Sequence, residues 1–241
     1  LEGVTTMTKP RKFLPRNLLV VPVVLAGLGL PFGTASAGNG FKDVSAQKNS
    51  MVQVMAAASA DEAGQGAFEF VQKTAERGLT FLSDPNSARD KKKQEFKKLL
   101  DGSFDLETIG RFALGRYWNV ATPAEKKEYQ ALFRKMVVDM YANRFDEYKG
   151  QKFEAKSFRS IGNNDTLVTS VIVPADGGAD VQVDWRVRSK GGSYKIVDVL
   201  VAGVSMSVTQ RSDFSSVIQS GGGKVSVLID HLKNGKKTAA N

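Results

Sequence analysis

The longest continuous pattern of hydrophobic and polar positions falls in residues 121–150. Tyr129, Leu132, Phe133, Met136, Val137, Met140, Tyr141, Phe145 and Tyr148 recur at steps of one, three and four residues, which draws a single apolar stripe along a helix. Lys126, Lys127, Glu128, Arg134, Lys135, Asp139, Arg144 and Glu147 fall on the opposite face. Thr122 is placed to cap this helix. Pro123 takes the first helical position, where a missing N–H costs nothing, and Glu125 completes a capping box. Gly150 is the expected C-terminal stop. At about 1.5 Å per residue the helix would span roughly 40 Å. Its stripe needs a cover.

The cover follows in the chain. Beyond Gly150 the period changes from helical to alternating, which predicts strands over 153–160, 165–173, 180–189 and 194–201. The third is the clearest: Val181, Val183, Trp185 and Val187 alternate with Gln182, Asp184, Arg186 and Arg188. Asp176-Gly177-Gly178 and Lys190-Gly191-Gly192 supply the turns of an antiparallel meander. Upstream, the spacing predicts a weak helix at 51–58 and a firmer one over 67–82, with Phe68, Val71, Ala75, Leu79 and Leu82 on one face. A lysine-rich helix follows over 88–100, then a turn at Asp101-Gly102. A short helix over 106–114 is capped by Ser103 or Asp105 and stopped by Gly115. An aromatic link leads into the long helix. Downstream, helices are expected over 207–220 and 224–233, separated by Gly221-Gly222-Gly223. Helices, four strands, then helices define an α+β domain, with the helices packed on one face of a curved four-stranded antiparallel sheet.

Not all 241 residues belong to that domain. Lys9, Arg11, Lys12 and Arg16 precede an apolar run over 18–32 and then Ala35-Ser36-Ala37. This order predicts a cleavable secretory signal peptide over 1–37, and the run is short for a membrane span. Residues 38–65 read as a flexible leader, 66–234 as the folded domain and 235–241 as a polar tail. Four basic residues and Glu2 would leave with the signal, taking the formal charge from +9 to about +6. A modest positive balance suits an anionic lipid surface, or no specific partner at all. Nucleic acid is not expected as a partner of an exported protein.

Candidate chemistry narrows quickly. The chain has no Cys, which excludes thiol catalysis, disulfides and thiolate metal sites. His231 is the single histidine and lies in a polar C-terminal stretch, so a Ser-His-Asp triad has little to build on. Gly221-Gly222-Gly223-Lys224 lacks the spacing and context of a phosphate loop. Asp184 and Asp198 sit in adjacent expected strands, but Asp184 alternates with Val183 and Trp185 and should point away from the apolar face. No catalytic residue, metal site or cofactor is therefore expected. Two readings of the apolar surface remain: an ordinary filled core, or a cavity between helix layer and sheet where an apolar ligand sits.

Three segments carry a resemblance to a known family. Leu114-Gly115-Arg116-Tyr117-Trp118, Ala121-Thr122-Pro123-Ala124-Glu125 and Tyr148-Lys149-Gly150-Gln151-Lys152-Phe153 resemble the MlaC family, also called toluene-tolerance proteins. Gly203-Val204-Ser205-Met206 with Gln210, Arg211 and Phe214, and 181–185 with Arg186, are similar to further signatures of that family. The resemblance implies a periplasmic carrier that holds phospholipid acyl chains in an NTF2-like cone with an apolar cavity. It implies exchange of lipid between an outer-membrane lipoprotein–porin complex and an inner-membrane ABC lipid transporter complex. A hopanoid or other apolar-lipid carrier is the alternative, and a cone-fold isomerase or hydrolase a more distant one. On the carrier reading the tails would meet Tyr117, Leu132, Phe133, Met136, Val137, Met140 and Tyr141 from the helices. From the sheet and beyond they would meet Val171, Val173, Val183, Trp185, Val187, Ile196, Val199, Val204 and Met206. Arg116 and Arg211 adjoin family motifs and are the expected head-group contacts.

Overall fold

The computed structural model describes residues 46–162 and 164–235, with side chains from Glu62 onward. The expected signal peptide and most of the polar tail lie outside the described residues. The first helix, α1 (Ala46–Ser83), begins inside the segment read as a leader and joins the two helices expected there into one. It ends where Asp84 and Pro85 break the pattern. α2 (Arg89–Ser103) runs straight through Asp101-Gly102, so the chain turns at Phe104 instead. α3 (Leu106–Leu114) starts on Asp105, whose carboxylate accepts the Thr108 N–H at 2.9 Å, and ends on Gly115 at φ 59°. The aromatic link contains one helical turn, α4 (Tyr117–Val120).

α5 (Pro123–Ala142) opens with the expected capping box: Thr122 and Glu125 exchange backbone-to-side-chain hydrogen bonds, with Pro123 at the first position. It is a turn and more shorter than its apolar stripe suggests. At Asn143 the chain tightens into a 3-10 turn, Phe145–Glu147, which brings both Phe145 and Tyr148 to the interior. Gly150, at φ 93°, serves the bend into the sheet rather than closing the helix.

The sheet has five strands, not four. β1 (Lys152–Gly162), β2 (Asp165–Val173), β3 (Val181–Lys190), β4 (Ser193–Val201) and the two-residue β5 (Val204–Ser205) pair in sequence order, each antiparallel to the next. β5 is too short to show an alternating pattern; it exists because Ala202 and Gly203, both at positive φ, fold the chain back onto β4. Register shifts in β1 and between β3 and β4 bend the strands locally. α6 (Met206–Ser220) starts on Ser205, whose hydroxyl accepts the Val208 N–H at 3.1 Å. α7 (Val225–Asn234) follows the glycine break.

Two dry cores form. The first joins α3, α4, α5, α6 and α7 around Leu114, Tyr129, Phe133, Phe214, Ile218 and Leu228. The second joins Ala67 and Val71 of α1 to Val168, Val187 and Ile196 of the sheet. Two lysines of α2 act as clasps, while Lys91, Lys97 and Lys98 remain on an exposed face. Lys93 reaches Asp139 of α5 at 2.5 Å, Lys92 donates to the Leu82 carbonyl at 2.9 Å, and Arg134 of α5 pairs with Asp101. Burial pushes Asp139 and Asp101 up, but the cations facing them win and hold both carboxyls below their ordinary value.

On the sheet face opposite α1, Asp165 is buried and accepts hydrogen bonds from Arg188 Nε and Arg186 Nε, each at 2.8 Å. The Arg188 hydrogen bond is the main cause that depresses the Asp165 carboxyl; burial opposes it and Arg186 assists. A depressed folded-state pKa contributes stability that is present above the ordinary carboxylate range and is lost as pH falls through the folded value. Asp165→Asn should therefore cost about 1–3 kcal/mol near neutrality, toward the low end because both arginines are half-exposed. It should also flatten the acid limb of a denaturation profile. An Asp165→Asn protein whose stability declines with acid as steeply as the wild type would contradict this assignment.

Candidate lipid-binding cavity

Between the two cores lies a cavity of about 510 Å³, partly open to solvent. Its walls come from six places. α1 contributes Val71, Ala75, Phe81 and Leu82, and α2 contributes Phe96, Leu99 and Leu100. Phe104, Leu106 and Ile109 follow from the α2–α3 junction and α3. α5 and its 3-10 turn give Phe133, Val137, Met140, Tyr141, Phe145 and Tyr148, and the sheet gives Ile172, Val183, Trp185, Val199 and Val201. Met206 closes the α6 side. Aromatic rings meet along one wall, with Phe96 edge-on to Phe145 at 5.4 Å, Phe81 edge-on to Phe145 at 6.2 Å, and Phe96 beside Tyr141 at 6.0 Å.

Trp185 is fixed on the floor. Its indole N–H donates to Ser170 Oγ at 2.9 Å, and Ser170 Oγ donates to the Val183 carbonyl at 2.9 Å, so this buried hydroxyl is satisfied in both directions. Phe153 meets the same indole edge-on at 6.2 Å. Few polar groups reach the lining. Asp198 is one, and its carboxylate is already engaged: it accepts the Ser205 hydroxyl at 2.6 Å and the Ser207 and Val199 N–H groups at 3.1 and 2.9 Å, which ties β4 to the start of α6. Asp184 is buried but does not line the cavity; Thr169 and Gln182 donate to it at 2.7 and 2.9 Å. Arg144 is the one Lys or Arg on the described wall. Tyr141 stands beside it, and burial pushes the Tyr141 hydroxyl up against the opposing pull of Arg144. Although 44% of Tyr141 is free, its position on the wall turns that surface toward the cavity.

Of the residues expected to meet an apolar ligand, Phe133, Val137, Met140, Tyr141, Val183, Trp185, Val199 and Met206 are brought together on the lining. The others are not. Tyr117, Leu132 and Met136 pack into the first core because α6 and α7 cover that side of α5. Val187 and Ile196 are sealed beneath α1 in the second core. Val171 and Val173 belong to the other face of β2: Ile172 stands opposite Val181 and Ser170 opposite Val183, so the intervening valines point away. Val204 is exposed on β5. The two expected head-group arginines are elsewhere as well. Arg116 lies over the Tyr117 ring and donates to its hydroxyl at 3.0 Å, and Arg211 lies over the Phe112 ring, 5.4 Å from its centroid. The contribution of α1 and α2 was missed. The helical face holding Val71, Ala75 and Leu82 was visible in the sequence, and assigning it to the cavity needed only the topology.

The molecule is thus an α+β domain whose helices and five-stranded antiparallel sheet enclose an apolar hollow rather than a single filled core. A family model described as "MlaC protein" matches residues 72–234, and the chain belongs to that family. The intermembrane phospholipid transport system binding protein MlaC of Haemophilus influenzae is 30% identical over 105 residues, which cover 42% of this chain and 49% of that protein. The toluene tolerance protein ttg2D of Pseudomonas putida is 23% identical over 151 residues, covering 62% of this chain and 68% of that protein. Among solved structures, the phospholipid-binding protein from Ralstonia solanacearum, in complex with a phospholipid, is 25% identical with a TM-score of 0.63. That match covers 73% of this chain and 99% of the other.

Proposed function

We propose that this protein is a periplasmic phospholipid carrier whose cavity, an NTF2-like cone of helices over sheet, holds the acyl chains in transit. The observation that carries this reading is the hollow itself. At about 510 Å³ it falls in the range of small-molecule sites, roughly 300–1,000 Å³, and its lining is predominantly apolar, as such sites are. Its aromatic and aliphatic lining suits hydrocarbon, and the Ralstonia relative is described with a phospholipid bound.

The physical task of such a carrier follows from the cargo. Two acyl chains hold roughly thirty methylenes, each worth about 0.8 kcal/mol out of water, so unaided escape costs on the order of 24 kcal/mol. The carrier must offer the tails an equally apolar site and release them only where another is in reach. An outer-membrane lipoprotein–porin complex and an inner-membrane ABC lipid transporter complex are the partners this reading supplies, and a signal peptide over 1–37 is the route to the periplasm. The role read here is binding: the one carboxylate on the wall, Asp198, is engaged by Ser205, Ser207 and Val199 in tying β4 to the start of α6.

Arg144 takes the head-group role here in place of Arg116 and Arg211, because it is the one Lys or Arg on a largely apolar wall and a guanidinium suits a phosphate. Solvent extraction of the folded, purified protein, with mass spectrometric identification, should yield phospholipid. A lipid-free extract would end the carrier reading, and a hopanoid would reassign the cargo. Arg144→Glu should retain several-fold less phospholipid while melting like the wild type. Undiminished lipid in that variant would remove Arg144 from the site.

A further inference from the structure

Outside the cavity, the large hydrophobic side chains that the described residues leave well exposed are Phe112 at 41%, Val120 at 72%, Val204 at 53% and Val208 at 55%. Phe112 lies within a run of four cations that rest on aromatic rings of α3, α4 and their neighbours. Arg111 and Lys126 both lie over the Trp118 ring, 5.9 and 5.5 Å from its centroid. Phe112, next to Arg111, lies under Arg211. Arg211 in turn fills the space beside Gly115, where an added Cβ would come within 2.8 Å of its Nε. Arg116 follows Gly115 and rests on Tyr117. Val208 is three residues before Arg211 and so on the same face of α6; Val204 lies on β5 just ahead of that helix, and Val120 ends α4, two residues past Trp118. Among the described residues none of these four cations forms an ion pair, although most of the lysines of α2 do.

The geometry points to a docking surface for an anionic phospholipid bilayer. Guanidinium and ammonium groups held flat on rings keep their charge available at the surface instead of neutralising it within the fold. Aliphatic side chains and a Trp set among such cations have the chemistry of the bilayer interface, where the apolar body enters the head-group layer and the charge meets phosphate. Charge complementarity selects an anionic surface, and exposed single valines with basic neighbours suit insertion among lipids. The formal charge, about +6 once residues 1–37 are removed, adds a long-range attraction of the same sign. None of these residues lines the cavity, so the surface is separate from the carrier site and does not depend on it.

Flotation of the purified mature protein, from residue 38 onward, with vesicles tests this. With phosphatidylcholine mixed with phosphatidylglycerol, the wild type should float, and added salt should release it; with phosphatidylcholine alone it should stay at the bottom. The double variant Arg111→Glu, Lys126→Glu should lose at least about tenfold in vesicle affinity. Val120→Glu should also weaken binding, and both variants should melt like the wild type. The proposal is overturned if the wild type ignores phosphatidylglycerol or if both variants float as it does. It is equally overturned if no protein floats yet the variants fail to exchange lipid with membrane-extracted transport complexes, since the surface would then serve a protein. Extracting lipid from the same preparations separates the two ideas: an empty protein that still floats keeps this surface and loses the carrier reading.

Discussion

Met140→Trp, purified and extracted, is expected to yield almost no lipid while melting within a few degrees of the wild type. Met140 stands on the cavity wall with Val137 and Tyr141. An indole placed there grows into the hollow, so the usual cost of overpacking a filled core is largely avoided. The lipid bears the cost instead. Each methylene denied a place forfeits about 0.8 kcal/mol, so displacing even four removes about 3 kcal/mol, more than a hundredfold in affinity. Val183→Trp should act the same way from the sheet side of the same space. Val171→Trp is the informative control. It sits on β2 next to Ile172 of the lining, but on the opposite face, and should leave lipid content unchanged. A full lipid complement in Met140→Trp, or a loss in Val171→Trp that matches it, would show that the hollow between the cores is not where the ligand resides.

That pair of valines also marks where sequence reasoning stops. Elements with an unambiguous punctuation were legible to the residue: α3 between Asp105 and Gly115, the start of α5 at Thr122-Pro123, and β2 between the turns. β3 was legible on its inner face as well, because Val183, Trp185 and Val187 alternate with charged or polar neighbours. β2 carries apolar residues on both faces, Val168 and Ile172 on one and Leu167, Val171 and Val173 on the other. Its orientation was fixed by pairing with β3 and by the Ser170 bridge to Trp185, neither of which has a local signal. The end of α5 misled for a related reason. Phe145 and Tyr148 keep the helical spacing, but the chain reaches the same wall by tightening into a 3-10 turn.

The division of α5 was less legible still. A stripe of nine apolar residues looked like one surface with one use. In the fold it is shared: Tyr129, Leu132 and Met136 join the α6–α7 core, Met140 and Tyr141 face the hollow, and Phe133 and Val137 touch both. The helix turns gradually from one layer to the other along its length. Nothing in its own periodicity distinguishes a side chain that meets protein from one that meets a ligand. Lys93 of α2 poses the same problem from the polar side, since its pairing with Asp139 depends on where α5 lies.

Tyr129→Ala should be the most damaging single substitution for stability, at about 3–5 kcal/mol. Tyr129 is fully buried. Its ring stacks on Phe133 at 5.9 Å and meets Phe214 edge-on at 5.9 Å, so one side chain joins α5 to α6. Its hydroxyl donates to the Gly110 carbonyl at 2.8 Å and so reaches α3 as well. α3 and α5 approach closely at that point: a Cβ on Gly110 would fall 2.7 Å from Gln130 Oε1 and 3.0 Å from the Phe133 ring. Burial pushes the Tyr129 hydroxyl far above its ordinary value, so the donor persists into strongly alkaline solution. Truncation would open a void where three helices meet, and that junction holds the lower wall of the cavity through Phe133. At roughly 2–4 °C per kcal/mol for a domain of this size, the melting temperature should fall by on the order of 10 °C. Tyr129→Phe keeps both ring contacts and loses only the hydrogen bond, at about 1 kcal/mol, and should still hold lipid. Urea denaturation of the two variants separates the terms. If Tyr129→Ala costs no more than Tyr129→Phe, the ring contacts contribute little and the first core is held by other residues.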